Sequence, residues 1–497
     1  MTTATVDNPE QGADSRRWLA LAVLCVGMLM IVLDVTVVNV ALPSIQTDLG
    51  FSQSSLAWVV NAYLISFGGL LLLAGRLGDL VGRKRIFMIG LAAFTVASLL
   101  CGLAQSQGLL IAARFAQGVG GAMTSAVILG MIVTMFPEPR EQAKAIGIYG
   151  FVASAGGSIG LLAGGILTEA INWHWIFFIN LPIAIGTALF AARLIDSDEG
   201  IGIGRGADVL GAALVTSALM LGVYTIVKAS DYGWGSLHSL GLGAASLALL
   251  AVFVARQARA ADPLMPLRVF RSRNVSGANL VQVVVVAGMF GMFFMGTLYL
   301  ERVLGFDPLE IGLAFLPATI LMGIFSAGLS ARLNTRFGAR ATLVPALVAV
   351  LAGLVLFALV PVDGSYAPDV LPAVMLMGVG AGLAFPSLMT LAMSGVPQSD
   401  AGLASGLVNT TAQVGGALGL AVLATLASTR TNELLANGEP IASALTSGYQ
   451  LAFIVGAGLI AVGIGLALTV LRQKSATQPH GTDPQSTCPQ PAYAEGH

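Results

Sequence analysis

Residues 75–85 read GRLGDLVGRKR, a charged and glycine-rich stretch between two long apolar runs. The flanking runs, at residues 56–76 and 86–106, each match the roughly 20 apolar residues that a helix needs to cross a bilayer. Glycine favours the tight turn that so short a connection requires. Lysine and arginine accumulate in cytoplasmic loops. The stretch therefore predicts a cytoplasmic turn between two antiparallel membrane-spanning helices.

The composition extends this reading to the whole chain. The 497 residues are 56% hydrophobic and only 10% charged, whereas soluble domains carry about 25% charged residues. So few charges cannot cover a water-facing surface, and most of the surface is expected to face lipid. The net charge of −1 gives no reason to expect nucleic-acid binding.

Fourteen apolar runs are long enough to span a membrane, the first at residues 17–42. That first run is too long for a signal peptide and has no small-residue cleavage site, so we read it as a retained span. An even number of spans places both termini on one side. Most of the 24 lysines and arginines fall in cytoplasmic segments only if both termini are cytoplasmic.

Two polar linkers divide the fourteen spans into groups of six, two and six. The tail beyond them is rich in Pro, Gln, Thr and Ser, a composition typical of disorder. The predicted segments are a cytoplasmic N-terminus (1–16), a first six-helix bundle (17–193), a cytoplasmic linker (194–207), an inserted helix pair (208–256), a second cytoplasmic linker (257–273), a second six-helix bundle (274–471) and a disordered cytoplasmic tail (472–497).

Two charged residues lie at membrane depth, Asp34 in the first span and Arg114 in the fourth. Charges there are costly and mark function by default. The rise of 1.5 Å per helical residue puts both in the outer half of the bilayer at similar depth, where they could pair or share a polar network. A static ion pair that fixes helix packing is one interpretation. A carboxylate that responds to protons, tuned by burial and a neighbouring cation, is the other.

Further polar residues within the spans are candidates to line a central cavity. Each alone is more typical of hydrogen bonding between helices, and only as a set do they suggest a substrate site. They are Asn39, Asn61, Tyr63, Gln117, Asn279, Gln282, Asn409 and Gln413.

Two other groups suggest moving parts. A charged latch in the first cytoplasmic turn comprises Gly75, Asp79, Gly82, Arg83 and Lys84; a simple basic anchor would explain the cations but not Asp79 or the glycines. A stripe of glycines in the fifth span either packs tightly or forms a seam that opens, and it comprises Gly156, Gly160, Gly164 and Gly165.

These motifs resemble those of the major facilitator superfamily, specifically the drug:proton antiporter branch with fourteen spans. The turn matches the signature G-x-x-x-D-x-x-G-R-[RK]. Residues 33–43 (LDVTVVNVALP), 114–122 (RFAQGVGGA), 156–165 (GGSIGLLAGG) and 173–182 (WHWIFFINLP) are similar to the motifs of the first, fourth, fifth and sixth spans. The resemblance covers nearly the whole chain.

The resemblance implies an all-α membrane fold of two six-helix bundles plus two inserted helices. It also implies a proton-driven antiporter that exports amphipathic drugs or antibiotics by alternating access, with Asp34 and Arg114 coupling protons. The expected partners are a small amphipathic substrate, protons and the lipids of a bacterial inner membrane. We expect a monomer, not an enzyme, without cofactor or nucleic acid; no His or Cys spacing suggests a metal site.

The chain also departs from the branch. Leu161 stands where the fifth-span motif usually has proline, and His174 where arginine is common. Residues 331–338 (ARLNTRFG) echo the first turn in the second half but lack its acidic residue. The thirteenth span has no carboxylate, which leaves Asp34 as the main embedded acid and would limit recognition of dications.

Two other functions remain open. A proton-coupled uptake symporter for a small metabolite would share the fold, although the fifth-span glycines speak against it. A membrane sensor, or an enzyme, is the other class. No cluster of His, Cys or carboxylates supports catalysis, and no soluble domain of useful size is present.

Overall fold

A computed structural model of the protein describes residues 9–198, 200, 208–260, 263–264, 267–394 and 401–471. The regular structure within these residues is helical throughout. The helices are α1 (Pro9–Leu49), α2 (Gln53–Val81), α3 (Arg83–Gly102), α4 (Gln107–Met135), α5 (Pro139–Ala170), α6 (Trp175–Phe178), α7 (Asn180–Leu194), α8 (Val209–Tyr232), α9 (Leu237–Arg259), α10 (Arg273–Arg302), α11 (Pro308–Ile324), α12 (Ser330–Phe337), α13 (Ala339–Ala358), α14 (Leu371–Met393), α15 (Ala401–Ala436) and α16 (Ile441–Thr469).

Twelve helical segments in the described part of the chain are long and apolar enough to cross a membrane. Two shorter apolar segments, Ile159–Ala170 and Pro308–Ile324, lie where the fifth and tenth spans were predicted. The second of these continues through a π-helical turn, Phe325–Leu329, into α12. The all-α membrane fold is therefore confirmed, and the count of fourteen spans stays a prediction.

Large apolar side chains remain exposed along the outer faces of the helices. Val96 is 59% exposed, Phe190 58% and Leu247 68%. Soluble proteins rarely expose apolar patches of such extent. Exposure of these side chains to hydrocarbon carries no free-energy penalty, so this surface is suited to the interior of a bilayer.

The predicted turn at residues 75–85 joins α2 to α3 through a single residue, Gly82, with a positive φ of 109°. Gly338 joins α12 to α13 with a similar φ of 89°. Positive φ is accessible to glycine without a Cβ clash. The two halves of the chain therefore repeat the same backbone turn, although the second has Thr335 in place of the acidic residue Asp79. We refer to the end of the molecule that holds Gly82 as the motif end and to the opposite end as the far end.

Helices from the two halves meet along two seams. In one, α2 packs against α15, and in the other α5 packs against α11. Glycines let the second seam close at the far end, because a Cβ on Gly165 would lie 2.8 Å from Leu309 Cα and a Cβ on Gly312 would lie 2.6 Å from the Leu161 carbonyl. Only glycine permits two helix backbones to approach this closely.

Helix α8 lies against the α2–α15 seam and contacts both of its helices. Towards the motif end it meets α2, where Thr216 packs on Gly69. Towards the far end it meets α15, where Thr425 Oγ1 donates a 3.3 Å hydrogen bond to the Ile226 carbonyl. The inserted pair thus touches both halves of the molecule rather than lying apart from them.

A small separate core fixes the inserted pair to α2. It is formed by Leu73 of α2, Ala212 of α8, Phe253 of α9 and Leu264 of the following linker. All four side chains are buried. Burial of each leucine or phenylalanine side chain stabilises the fold by about 1.5–3 kcal/mol. The motif-end half of the pair is therefore attached to the first-half helices.

Candidate functional site

Asp34 of α1 and Arg114 of α4 form an ion pair inside the first-half helices. Arg114 Nη1 lies 2.6 Å from Asp34 Oδ2, and the side chains of Arg114 and Asp34 are 1% and 0% exposed. Arg114 Nε also donates a 2.9 Å hydrogen bond to the Val59 carbonyl of α2. The pair therefore ties three helices together in a setting from which lipid and bulk water are excluded.

Two amides complete the surroundings of the carboxylate. Gln117 Nε2 donates to Asp34 Oδ1 at 2.7 Å, and Asn180 Nδ2 of α7 donates to the same oxygen at 2.9 Å. Gln117 also donates to Ser98 Oγ at 2.8 Å and accepts from Arg114 Nη1 at 2.7 Å. A buried charge is tolerated only when it is paired and hydrogen-bonded in this way.

Sequence reasoning had not assigned Asn180 and Ser98 to this site. Asn180 lies within residues 173–182, where an amide in an otherwise apolar run was a usable signal. Ser98 carried no such signal, since serine in a membrane helix commonly bonds its own backbone.

Tyr63 of α2 separates the ion pair from a large cavity. The Arg114 guanidinium carbon lies 4.5 Å from the centre of the Tyr63 ring, a cation–π geometry. The ring also stacks on Phe67, with centroids 5.7 Å apart, and both residues line the cavity. The hydroxyl of Tyr63 is buried without a hydrogen-bond partner. Tyr63 therefore contacts the Arg114 guanidinium and also forms part of the cavity wall.

The cavity has a volume of about 1280 Å³ and extends to the motif end. Its walls come from α1, α2, α4, α5 and α15. Its mouth comes from Asp79 and Arg83 on either side of the turn, from Asp208, and from described residues at the end of α9 and in the linker after it. Lining residues that bear on the argument are Thr36, Tyr63, Asp79, Asp208, Asn409 and Gln413. A space of this size accommodates a drug-sized molecule.

The predicted cavity residues divide into two groups. Tyr63, Asn409 and Gln413 line the cavity. The other five do not line it. Gln117 belongs to the Asp34 network, and Asn39 Nδ2 donates to the Val35 carbonyl of its own helix. Asn279 donates to the Val275 carbonyl and accepts from Thr411 Oγ1, while Asn61 and Gln282 are buried between helices. Hydrogen bonding within and between helices is the observed role of Gln117, Asn39 and Asn279. Both amide atoms of Asn61 and the Oε1 of Gln282 are buried without a hydrogen-bond partner among the described residues.

The predicted latch residues form a connected cluster at the cavity mouth. Arg83 Nη2 lies 3.1 Å from Asp79 Oδ1, and Arg83 Nη1 donates to the Gly130 carbonyl at 2.9 Å and to Thr134 Oγ1 at 2.8 Å. These bonds join α2, α3 and α4, all in the first half of the chain. Gly75 lines the mouth beside them, and Lys84 Nζ donates to the Ala192 carbonyl at 3.0 Å.

Asp198, beyond the end of α7, caps this cluster. Its carboxylate accepts hydrogen bonds from the backbone N–H groups of Arg83 at 2.7 Å and Lys84 at 3.1 Å, at the start of α3. A carboxylate at a helix N-terminus is favoured by the unpaired N–H groups there. Burial alone would raise the pKa of Asp198, but hydrogen bonds from the backbone N–H groups of Arg83, Lys84 and Asp198 itself, together with the Arg83 charge, outweigh it and hold the pKa below its ordinary value.

The glycine stripe of α5 packs directly on α1. A Cβ on Gly156 would lie 3.1 Å from Leu29, one on Gly160 would overlap Thr36 Oγ1, and one on Gly164 would lie 2.8 Å from the Val37 carbonyl. Gly165 faces the other way, onto α11. The stripe therefore joins α5 to α1 beside the cavity, while its last glycine contributes to the α5–α11 seam.

Comparison with known proteins identifies the family. A family model described as the Major Facilitator Superfamily matches residues 24–420. The chain is 40% identical to the puromycin resistance protein pur8 of Streptomyces alboniger, covering 93% of this chain and 92% of the relative. It is 37% identical to the cephamycin export protein CmcT of Amycolatopsis lactamdurans (93% and 94%) and 34% identical to the tetracenomycin C resistance and export protein of Streptomyces glaucescens (87% and 81%).

Solved structures agree on the fold. A bacterial homologue of the human lysosomal transporter Spinster, inward-facing and unoccupied, superposes with a TM-score of 0.64 at 16% identity, covering 91% of this chain and 96% of the other. The human organic anion transporter MFSD10 superposes with a TM-score of 0.60 at 17% identity, covering 91% and 99%.

Proposed function

We propose that this chain, which belongs to the major facilitator superfamily, exports amphipathic antibiotics or drugs from the cytoplasm in exchange for protons. The chain is a multi-pass membrane transporter, not an enzyme. Relatives that match over most of its length are named for resistance to, or export of, puromycin, cephamycin and tetracenomycin C. The observation that carries proton coupling is the fully buried Asp34–Arg114 pair next to the cavity.

The direction of export depends on the orientation of the molecule. Lysine and arginine are concentrated in the loops of the motif end, and such loops face the cytoplasm. With this orientation both termini are cytoplasmic, and in a bacterium the membrane is the inner membrane. The cavity that reaches the motif end then corresponds to an inward-open state, ready to receive a molecule from the cytoplasm or the inner leaflet.

Proton coupling follows from the chemistry of the pair. A proton on Asp34 removes the negative charge that Arg114 faces, and the guanidinium then loses its charge partner in a site without bulk water. A buried cation without a partner is strongly unfavourable, so Arg114 must find other acceptors and the helices that it ties must shift. Protonation from outside and release to the cytoplasm would thus drive the exchange between outward-open and inward-open states.

The latch and the glycine stripe would hold the first-half helices together while the molecule changes state. The Asp79–Arg83 cluster braces α2, α3 and α4 as one unit, so the motif end of the first half would move as a body. The close contact of α5 with α1 lets those helices stay together while the α5–α11 seam opens at the far end. This division of rigid and opening contacts is the pattern that alternating access requires.

Accumulation measurements in an efflux-deficient host test the direction of transport. Expression of the chain is expected to lower the cellular level of a fluorescent amphipathic drug and to raise the concentration that inhibits growth. Collapse of the proton gradient with an ionophore should abolish both effects. A higher cellular level on expression would instead indicate uptake, and an unchanged level across a broad antibiotic panel would argue against export.

A further inference from the structure

The cavity contains few ionisable side chains, and all of its charged ones lie near the mouth. The charged residues that line the described cavity are Arg76, Asp79, Arg83, Asp208 and Arg268. Deeper in the membrane the walls are apolar, with neutral hydroxyl and amide groups between them, such as Thr36, Ser125, Asn409 and Gln413. Among the described lining residues, a ligand at this depth therefore meets donors and acceptors but no carboxylate.

Each carboxylate that lines the described cavity is engaged by an arginine. Asp79 Oδ1 lies 3.1 Å from Arg83 Nη2. Asp208, which precedes α8, lies 2.7 Å from Arg256 Nε and also accepts from Gln257 Nε2 at 2.6 Å. Neither group offers a free negative charge to a ligand.

The buried carboxylate of Asp34 does not supply a free negative charge to the cavity either. It already accepts from Arg114, Gln117 and Asn180. It does not line the cavity, and the ring of Tyr63 stands between the two. A cationic ligand in the cavity would have to displace this ring and then compete with a guanidinium that is fixed at 2.6 Å.

Electrostatics then discriminate between ligands of equal shape. A permanent cation that leaves water for a site without an anion loses its hydration, at an effective penalty of several kcal/mol for a compact ion. The aromatic faces of Tyr63 and Phe67 in the cavity wall would return only about 0.5–2 kcal/mol of this penalty. An uncharged molecule loses only a few hydrogen bonds, which the hydroxyl and amide groups of the wall replace. Exclusion by an uncompensated charge is a common way to build specificity.

We propose that this cavity selects uncharged amphipathic molecules and rejects permanent cations such as quaternary ammonium compounds. The proposal rests on the export function above and specifies its substrate class. One added carboxylate should reverse the preference, because it would supply the missing anion. Gln413 is the best position, since it lines the cavity on α15 and glutamate has nearly the same shape.

The test uses pairs of probes that share an apolar body and differ only in a neutral amide or a quaternary ammonium group. Binding is measured with the purified full-length protein by ligand-induced thermal stabilisation, and export is measured in cells. The wild-type protein is expected to prefer the neutral member by at least about tenfold, equivalent to 1.4 kcal/mol. Gln413→Glu should raise affinity for the cationic member by about tenfold. Gln105→Glu, the same change in an exposed loop, should not.

The outcomes separate the two proposals. Equal export of both probe types by the wild-type protein would overturn the selectivity and leave export supported. Tight binding of neutral probes without their export would support the selectivity and count against the export function. A Gln413→Glu variant that still exports neutral probes but gains no cation binding would overturn the electrostatic explanation.

Discussion

Asp34 on α1 and Arg114 on α4 lie 2.6 Å apart, with neither side chain more than 1% exposed. The carboxylate also receives hydrogen bonds from the amides of Gln117 and Asn180. A pair so enclosed changes state only if a proton or a conformational change reaches it. The Tyr63 ring lies 4.5 Å from the guanidinium and forms part of the cavity wall, so it contacts both the pair and the cavity.

Replacement of Asn180 by alanine should weaken this network. The variant removes one donor to the Asp34 carboxylate, and an incompletely bonded buried charge costs about 1–3 kcal/mol. We expect a lower melting temperature in detergent and slower export. Asn437→Ala, in an exposed turn, serves as the control. Equal stability of the Asn180→Ala and wild-type proteins would show that Asn180 does not support the carboxylate.

Substitution of Gly82 by alanine should destabilise the turn at the motif end. The residue has a φ of 109°, and a Cβ would lie 2.7 Å from the Asp198 carbonyl oxygen. Strain of this kind costs about 1–3 kcal/mol. Gly186 in α7 is the matched control, because a Cβ there meets open space and alanine should be neutral or stabilising. Thermal unfolding should show a lower melting temperature for Gly82→Ala and an equal or higher one for Gly186→Ala. Similar changes in the two variants would contradict the proposed role of the turn.

Removal of the Asp208 charge should have a pH-dependent effect. Burial alone would raise the pKa of Asp208, but hydrogen bonds from Arg256, the Gly211 N–H and Gln257 outweigh it and hold the pKa below its ordinary value. A carboxylate with a lowered pKa stabilises the folded state above its unfolded pKa of about 3.9 and loses this contribution as the pH falls further.

Asp208→Asn should therefore melt at a lower temperature than the wild-type protein at pH 7, and the difference should shrink as the pH falls towards 4 and below. Asparagine can still cap α8, so the change isolates the charge. Asp363→Asn, in an exposed loop, is the control. A difference that stays constant between pH 7 and pH 4 would contradict an ionic origin.

Helix α8 should move together with α2 during transport. A Cβ on Gly69 would lie 3.3 Å from Thr216 Cβ, slightly closer than the roughly 3.5–4.5 Å between the Cβ atoms of a disulfide, so a small shift would allow the bond. In a variant without the native cysteines, Gly69→Cys with Thr216→Cys should cross-link on oxidation and still export substrate, because the small core around Leu73 fixes the inserted pair to α2. Export that stops on oxidation and returns on reduction would show that α8 slides along α2.

The sequence was most informative about features that depend on local conformation or on position along a single helix axis. Apolar runs of about 20 residues give the helices, and Gly82 in a charged turn gives the connection between α2 and α3. Depth along the helix axis brought Asp34 and Arg114 to a similar level, and the structure places them in contact. The roles assigned to these residues and to the latch remain proposals.

Features that depend on how a helix is rotated about its own axis could not be predicted from the sequence in the same way. Spans that are apolar on all sides do not reveal which face turns inward, so the cavity positions of Asn409 and Gln413 could not be separated from the packing positions of Asn279 and Gln282. Contacts between distant segments, such as Asp198 on the start of α3 or Thr216 on Gly69, depend on tertiary packing. Asn180 was missed because its partner is 146 positions away in the chain.

The most direct test of proton-coupled export compares wild-type and Asp34→Asn proteins in inverted membrane vesicles. The account predicts that an imposed proton gradient drives uptake of a neutral amphipathic drug into wild-type vesicles, and that Asp34→Asn, although folded, loses this gradient dependence. Asp363→Asn should behave as the wild-type protein. Undiminished gradient-driven transport by Asp34→Asn would contradict the central role given to the buried ion pair.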